Sequence, residues 1–347
     1  MSKQISTSRE NLLNNMLFRT LFVIFFPIVV FGILLMTEGK NPVATYGVII
    51  NAVFGSAYGF GEVIVQASYL ILTSLTAILP YRVGMANAGG EGQMTIGALC
   101  TAIAGTTFLT RVPAFLGIPL MLISGMIGGA LWSGVSVICK AKLRMNETLS
   151  SILMNYIATY FISFLLYGIL KDPDGWNYPQ TREIAPQLRF KLLFSTRANV
   201  GILISLAVAL GCWYILNKTK AGFVIRTVGG NVRAAQYSGI NVTVVQSTVF
   251  TLAGALAGLA GAILIVGVEG RMRVDSGTTM GFMGFLAAGI VNNNPLLSIL
   301  SAFLIAALNI AGNAMEINTG LPSASIQILI MLVLLTIMGL GRRKKHE

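Results

Sequence analysis

Asn87, Glu91 and Gln93 are the side chains best suited to handle a polar ligand within an otherwise apolar sequence. They lie in Arg82-Val-Gly-Met-Ala-Asn-Ala-Gly-Gly-Glu-Gly-Gln-Met94, between two apolar runs. Gly84, Gly89, Gly90 and Gly92 permit a broken backbone there, and the amides and the carboxylate are costly unless they face protein or water rather than lipid. Broken helices bearing polar groups commonly line polar paths through membranes; a solvated turn between two helices is the competing reading. Asn155 and Tyr156 join the set, because Asn155 interrupts an apolar run where a side-chain amide would avoid lipid. Either these five residues border a pathway, or they satisfy one another's hydrogen bonds.

A second segment, Lys218 to Val242, is basic and apolar by turns. Asn231 can cap a short helix running through Ala234, Ala235 and Tyr237, with Gly239 ending it. Such a helix suits the groove of another protein or the lipid headgroups. The third segment, Lys171 to Arg197, holds Trp176, Tyr178, three prolines and five basic residues, and would cap a mouth, meet a partner or merely connect. Within it Asp172 and Asp174 are a close acidic pair, but Lys-Asp-Pro-Asp-Gly is turn chemistry.

Several chemistries are excluded by what is missing. No G-x-x-x-x-G-K-[ST] loop is present to cradle ATP phosphates. The single histidine, His346, is in the terminal tail, so triad catalysis and zinc-protease spacing lack their base. Cys100, Cys139 and Cys212 are far apart and read as packing residues, not as a disulfide framework or metal cluster.

The elements that must position these residues follow from composition. Hydrophobic residues make up 55% of the 347 and charged residues only 10%, with a mean hydropathy of +0.77; a soluble domain carries about 25% charged residues. A bilayer core needs about 17 to 25 apolar residues in helical form. Ten runs approach that: Leu17–Leu35, Val63–Pro80, Met94–Leu109, Ile118–Val137, Leu149–Leu170, Val200–Leu216, Ser247–Val268, Gly281–Val291, Leu296–Ala314 and Ile326–Leu340. The eighth is short enough to be tilted or re-entrant. The expectation is therefore an all-α polytopic membrane protein of about ten transmembrane helices. A cytoplasmic segment 1–16 precedes a single membrane domain 17–340, and a basic cytoplasmic tail 341–347 follows it. The polar start at Met1 runs too long for a cleaved signal peptide.

With the N-terminus inside, fifteen basic residues fall on the cytoplasmic side: Lys3, Arg9, Arg19, Arg82, Lys140, Lys142, Arg144, Lys218, Lys220, Arg226, Arg233 and Arg342 to Lys345. Nine fall outside: Lys40, Arg111, Lys171, Arg182, Arg189, Lys191, Arg197, Arg271 and Arg273. The bias predicts both termini in the cytoplasm. The net charge of +12 then reflects topology and anionic-lipid contact, not nucleic-acid binding. Gly125-Met-Ile-Gly128-Gly129 and Gly254-Ala-Leu-Ala-Gly258 predict close helix–helix packing, within the chain or at a dimer face.

Four stretches carry a resemblance: Gly89 to Ala98 (GGEGQMTIGA), Asn146-Glu-Thr-Leu with Leu153 to Ala158 (LMNYIA), Val228 to Ile240 (VGGNVRAAQYSGI), and Asn294-Pro-Leu with Gly320-Leu-Pro322. In this order, over roughly residues 15 to 340, the chain resembles the permeases of bacterial nucleoside ABC importers, within the wider branched-chain amino acid and simple-sugar permease group. The resemblance implies a type II importer fold in a bacterial plasma membrane. It also implies a second permease subunit, identical or related, cytoplasmic ABC ATPases, and an extracellular or lipid-anchored substrate-binding protein. ATP and Mg would be used by the ATPase, with no cofactor or metal on this chain. The coupling loop, about 217–246, would meet the ATPase through Arg233, Ala234, Ala235, Tyr237 and Gly239. Arg233 departs from the family pattern, standing where many relatives carry Glu, which puts that particular ion pair in doubt.

A secondary transporter is the first rival; beyond Glu62 and Glu91 the sequence offers it few acidic relay groups. A membrane enzyme would need clustered carboxylates or histidines and ranks last. On physical grounds a nucleoside, a simple sugar, a riboflavin-like molecule or another small polar solute fits equally well; only the resemblance favours nucleosides.

Overall fold

The computed structural model describes residues 16–193 and 196–341. The expected N-terminal segment, the basic run Arg342 to Lys345 and His346 lie outside the described residues, apart from Met16 and Gly341. Among the described residues the chain is all-helical: α1 Met16–Thr37, α2 Pro42–Phe54, α3 Ala57–Tyr81, α4 Gly90–Ile103, α5 Ala114–Leu143, α6 Glu147–Tyr167, α7 Gly201–Lys218, α8 Lys220–Gly230, α9 Val232–Tyr237, α10 Val242–Leu264, α11 Met280–Ile290, α12 Leu297–Thr319 and α13 Ala324–Gly341. Single π-helical turns extend α4 through Ala104–Phe108 and α10 through Ile265–Glu269.

Six of these helices are long and apolar enough to cross a membrane, or seven if α1 and α2 are taken as one span bent by 118°. The count differs from the ten apolar runs for a local reason. The runs at Met94, Gly281 and Ile326 become α4, of 14 residues before its π turn, α11, of 11, and the short apolar stretch Ala324–Ile337 of α13. Hydropathy registers apolar length and is blind to where a helix breaks. It also passes over α2, which starts at Pro42 with Asn41 as its cap, the Asn41 Oδ1 accepting from the amides of Val43 at 3.0 Å and Ala44 at 3.3 Å.

Two compact units result, one formed by residues up to Phe60 and from Ile305 onward, the other by Gly61–Leu304. In the first, α1 packs on α13, with Phe31, Leu35, Met315, Leu321, Ile326 and Leu329 as its core, and the Tyr46 hydroxyl donates to the Ile28 carbonyl at 2.5 Å.

In the second unit α10 is the central helix, packed against α5 and α4. Small residues make this contact. A Cβ on Gly125 would stand 2.6 Å from Thr101 Oγ1 and 2.8 Å from the Gly258 carbonyl, and one on Gly128 would stand 2.6 Å from Cys100 Sγ. No side chain fits at those distances, so the glycine pattern is spent on packing within the chain. Helices α3 and α10 are mostly buried, whereas α5, α6 and α7 expose most of their length, an outer layer for lipid or partners.

Residues 168–193 are not a loose connector. The amides of Thr181, Ile184 and Phe190 donate to the carbonyls of Met272 (2.9 Å), Gly270 (2.8 Å) and Val266 (3.1 Å), and Ile184 and Leu188 enter the core beside Met121, Ile162 and Leu166. The Lys-Asp-Pro-Asp-Gly turn forms as its residues predict, the Asp174 amide donating to Asp172 Oδ1 at 3.2 Å. Glu183 bridges the guanidiniums of Arg189 and Arg271. Partial burial alone would raise its pKa, but the charges and hydrogen bonds of both arginines outweigh that and hold it below the ordinary carboxylate value.

Candidate functional site

The glycine-rich segment starts α4. After α3 ends at Tyr81, residues 82–89 run without helix, and α4 begins with Gly90. Asn87 makes a turn just before this start, its Oδ1 accepting from the Gly89 amide at 2.9 Å. Its side chain is buried and paired reciprocally with Gln93: Asn87 Nδ2 donates to Gln93 Oε1 at 3.0 Å, and Gln93 Nε2 donates to Asn87 Oδ1 at 3.1 Å. These two amides satisfy each other inside the protein, as buried polar groups must, and neither lines the groove described below.

Asn155 holds α4 to α6. Its Oδ1 accepts from the Gly92 amide at 2.9 Å, and its Nδ2 donates to the Ala88 carbonyl at 2.9 Å. Gly92 suits this close approach, since a Cβ would stand 3.0 Å from Asn155 Oδ1 and from the Met154 carbonyl, a tight contact that the neighbouring helix would have to yield to.

Glu91, Asn155 and Tyr156 do come together. They line an open groove of about 710 Å³ with Ala88, Thr148, Ile152, Thr159, Tyr160, Thr279, Phe282 and Phe285. The Glu91 side chain lies against the start of α11, beside the backbone of Thr279 and Phe282. Thr279 holds this position at φ 68°, a left-handed conformation that is costly for a β-branched residue and tends to persist at functional sites. Tyr156 is 63% exposed and lines the groove. Thr159, Tyr160, Thr279, Phe282 and Phe285 were missed by sequence reasoning; the four-residue spacing from Tyr156 to Tyr160 and from Ile152 to Tyr156 was the available signal for the α6 side, while nothing local ties α11 to it.

The other acidic candidate, Glu62, is paired with Arg197 at 3.2 Å.

On the segment expected to couple, α9 forms where predicted. Asn231 Oδ1 caps it through the Ala234 amide at 3.1 Å, and Gly239 ends it at φ 77°. Arg233, Ala234, Tyr237 and Gly239 are exposed, Tyr237 by 94%, but Ala235 is wholly buried. It packs in its own chain's core with Leu79, Val83, Leu216, Val228 and Phe250. A six-residue helix has an inner face, and Ala235 occupies it.

Helices throughout the described residues, several of them apolar spans, and a largely aromatic groove between α6 and α11 that holds one carboxylate mark a multi-pass membrane protein. The profile of the branched-chain amino acid transport system / permease component family matches residues 59–338, and the chain belongs to that family. It is similar to a guanosine ABC transporter permease protein of Bacillus subtilis, 32% identical over 308 residues, 88% of each chain. It is also similar to a glucose ABC transporter permease protein of Haloferax volcanii, 32% identical over 88% of this chain and 82% of that one. A nucleoside ABC transporter permease protein of Lactococcus lactis is 28% identical over 89% of this chain and 86% of its own. No solved structure matches the chain.

Proposed function

We propose that this chain is the permease subunit of an ABC importer for nucleosides and that the groove between α6 and α11 is part of its translocation pathway. The observation that carries the reading is Glu91, a carboxylate set among apolar helices at the start of α11 and open to a groove large enough for a small molecule. Lipid would penalise such a group, whereas a hydrated path for a neutral polar solute would use it. Sugars and riboflavin-like solutes are the alternative cargo; the guanosine and nucleoside permeases among the similar proteins favour nucleosides.

In this reading the bacterial plasma membrane holds about ten membrane-crossing segments, the short helices α4, α11 and α13 acting as partial crossings, with both termini in the cytoplasm. A second permease subunit completes the path, and an extracellular or lipid-anchored binding protein delivers substrate. A separate cytoplasmic ATPase binds ATP and Mg and engages the exposed side of α9 through Arg233, Ala234, Tyr237 and Gly239. Ala235 supports that surface from behind. ATP-driven closure moves α9, and the groove opens alternately to each side.

The test is uptake of labelled nucleosides by the complete transporter in proteoliposomes, with Glu91→Gln alongside. ATP-dependent nucleoside uptake, reduced in the variant at equal assembly, supports the reading. Transport driven by an ion gradient without ATP would replace it with a secondary transporter. Single cysteines near Pro186 should react with an impermeant reagent in intact cells while those near Arg342 do not; the reverse pattern would overturn the orientation.

A further inference from the structure

We infer that Tyr156 and Tyr160 on α6, with Phe282 and Phe285 on α11, form an aromatic slot that grips the flat base of the solute while Glu91 receives its sugar hydroxyls. The inference rests on the importer reading above and deepens it, because it says which part of the solute the groove recognises.

Spacing puts the rings on one wall each. Residues four apart, Tyr156 and Tyr160, share a helix face, as do Phe282 and Phe285, three apart, and all four line the same groove. Tyr156, Tyr160 and Phe282 are more than half exposed in this chain. Among the described residues none of the four is stacked on another ring, so their faces are available to a guest. Aromatic faces hold nucleobases by stacking without demanding a particular base.

The hydrogen-bonding inventory separates a nucleoside from a free sugar. Asn155 has both ends of its amide committed to backbone, the Gly92 N–H in α4 and the Ala88 carbonyl just ahead of that helix. The Thr159 hydroxyl already donates to the Asn155 carbonyl at 3.1 Å. What remains for a guest is the Glu91 carboxylate beside Thr279, with Thr148; the tyrosines contribute their ring faces. A free hexose can lay one C–H face on a ring, but it lacks the extended flat π face that two aromatic walls hold best. A nucleoside offers one flat apolar-faced ring for the slot and a ribose diol for a carboxylate, a pairing that carboxylates make well. A lipid chain would have no use for Glu91.

The decisive experiment uses the complete transporter reconstituted in proteoliposomes, with labelled adenosine and labelled ribose as probes. The paired substitution Tyr156→Leu with Tyr160→Leu should lower adenosine uptake about tenfold or more, while Tyr156→Phe with Tyr160→Phe keeps most of it. Both pairs replace exposed side chains. Adenosine uptake by the leucine pair within twofold of wild type overturns the slot and leaves the importer reading standing. Wild-type uptake of ribose but not adenosine overturns the slot and the nucleoside cargo together. Photolabelling of the unmodified transporter with 8-azidoadenosine decides independently of how the variants fold. Label on the α6 or α11 peptides supports the slot, and label confined to other segments, as when a second permease copy or lipid fills the groove, overturns it.

Discussion

Replacing Asn155 by leucine separates anchoring from lining, because Asn155 touches the groove and also holds α4 in place. The substitution keeps the side chain's size and removes two hydrogen bonds of 2.9 Å, leaving the Gly92 N–H and the Ala88 carbonyl without that partner. Side-chain hydrogen bonds in membrane proteins contribute about 0.6 kcal/mol on average and about 1.7 kcal/mol at most. Two of them at a helix start, where backbone groups have few substitutes, give roughly 1–3 kcal/mol. A loss of 1–2 kcal/mol already lowers the folded-to-unfolded ratio by a factor of about 5–30. The assay is thermal unfolding of the purified subunit in detergent, followed by a thiol-reactive dye on the partly buried Cys100, Cys139 and Cys212. Asn155→Leu should unfold at clearly lower temperature than wild type, while Tyr156→Leu, at an exposed position, should unfold with it. Identical melting of Asn155→Leu and wild type would refute the anchoring argument and return Asn155 to a purely pathway role.

Further outcomes are expected elsewhere. Gly125→Val drives a side chain into Thr101, Ala262 and the Gly258 carbonyl, an overpacking cost of about 1–3 kcal/mol or more, and should abolish a monodisperse size-exclusion peak. Gly134→Ala on the same helix meets open space and should be neutral or stabilising by up to about 1 kcal/mol. Ala235→Glu should lower the melting temperature because it buries a charge in the α9 core, whereas Tyr237→Ala should leave melting unchanged and weaken co-purification of the ATPase; equal melting of both variants would refute this division. Glu183 is held below its ordinary value of 4.5, so its bridge to Arg189 and Arg271 contributes fully above that pH and is lost as pH falls through the lower folded value. Protection of residues 168–193 from an acid-active protease should therefore be flat from neutrality down to about pH 5 and decline below it. Glu183→Gln should show the reduced protection already at neutral pH.

Much of this protein was legible without its fold. The apolar runs forced membrane helices because backbone groups in lipid must bond internally. The cap at Asn231 and the left-handed stop at Gly239 were read correctly from residue type, being governed by chemistry within one helical turn. Tertiary structure decided everything that depends on which side of an element faces a neighbour. Asn87 and Gln93, predicted beside Glu91 on a path, turn inward and bond each other, while Asn155, 62 residues further along than Gln93 in the chain, closes on the backbone of the same helix start. Ala235, grouped with Tyr237 on sequence grounds, faces the core. The aromatic wall opposite Tyr156 comes from α11, more than a hundred residues away. A sequence pattern specifies periodicity along one helix, but the pairing of two helix faces depends on packing between segments distant in the chain, and no local residue pattern encodes it.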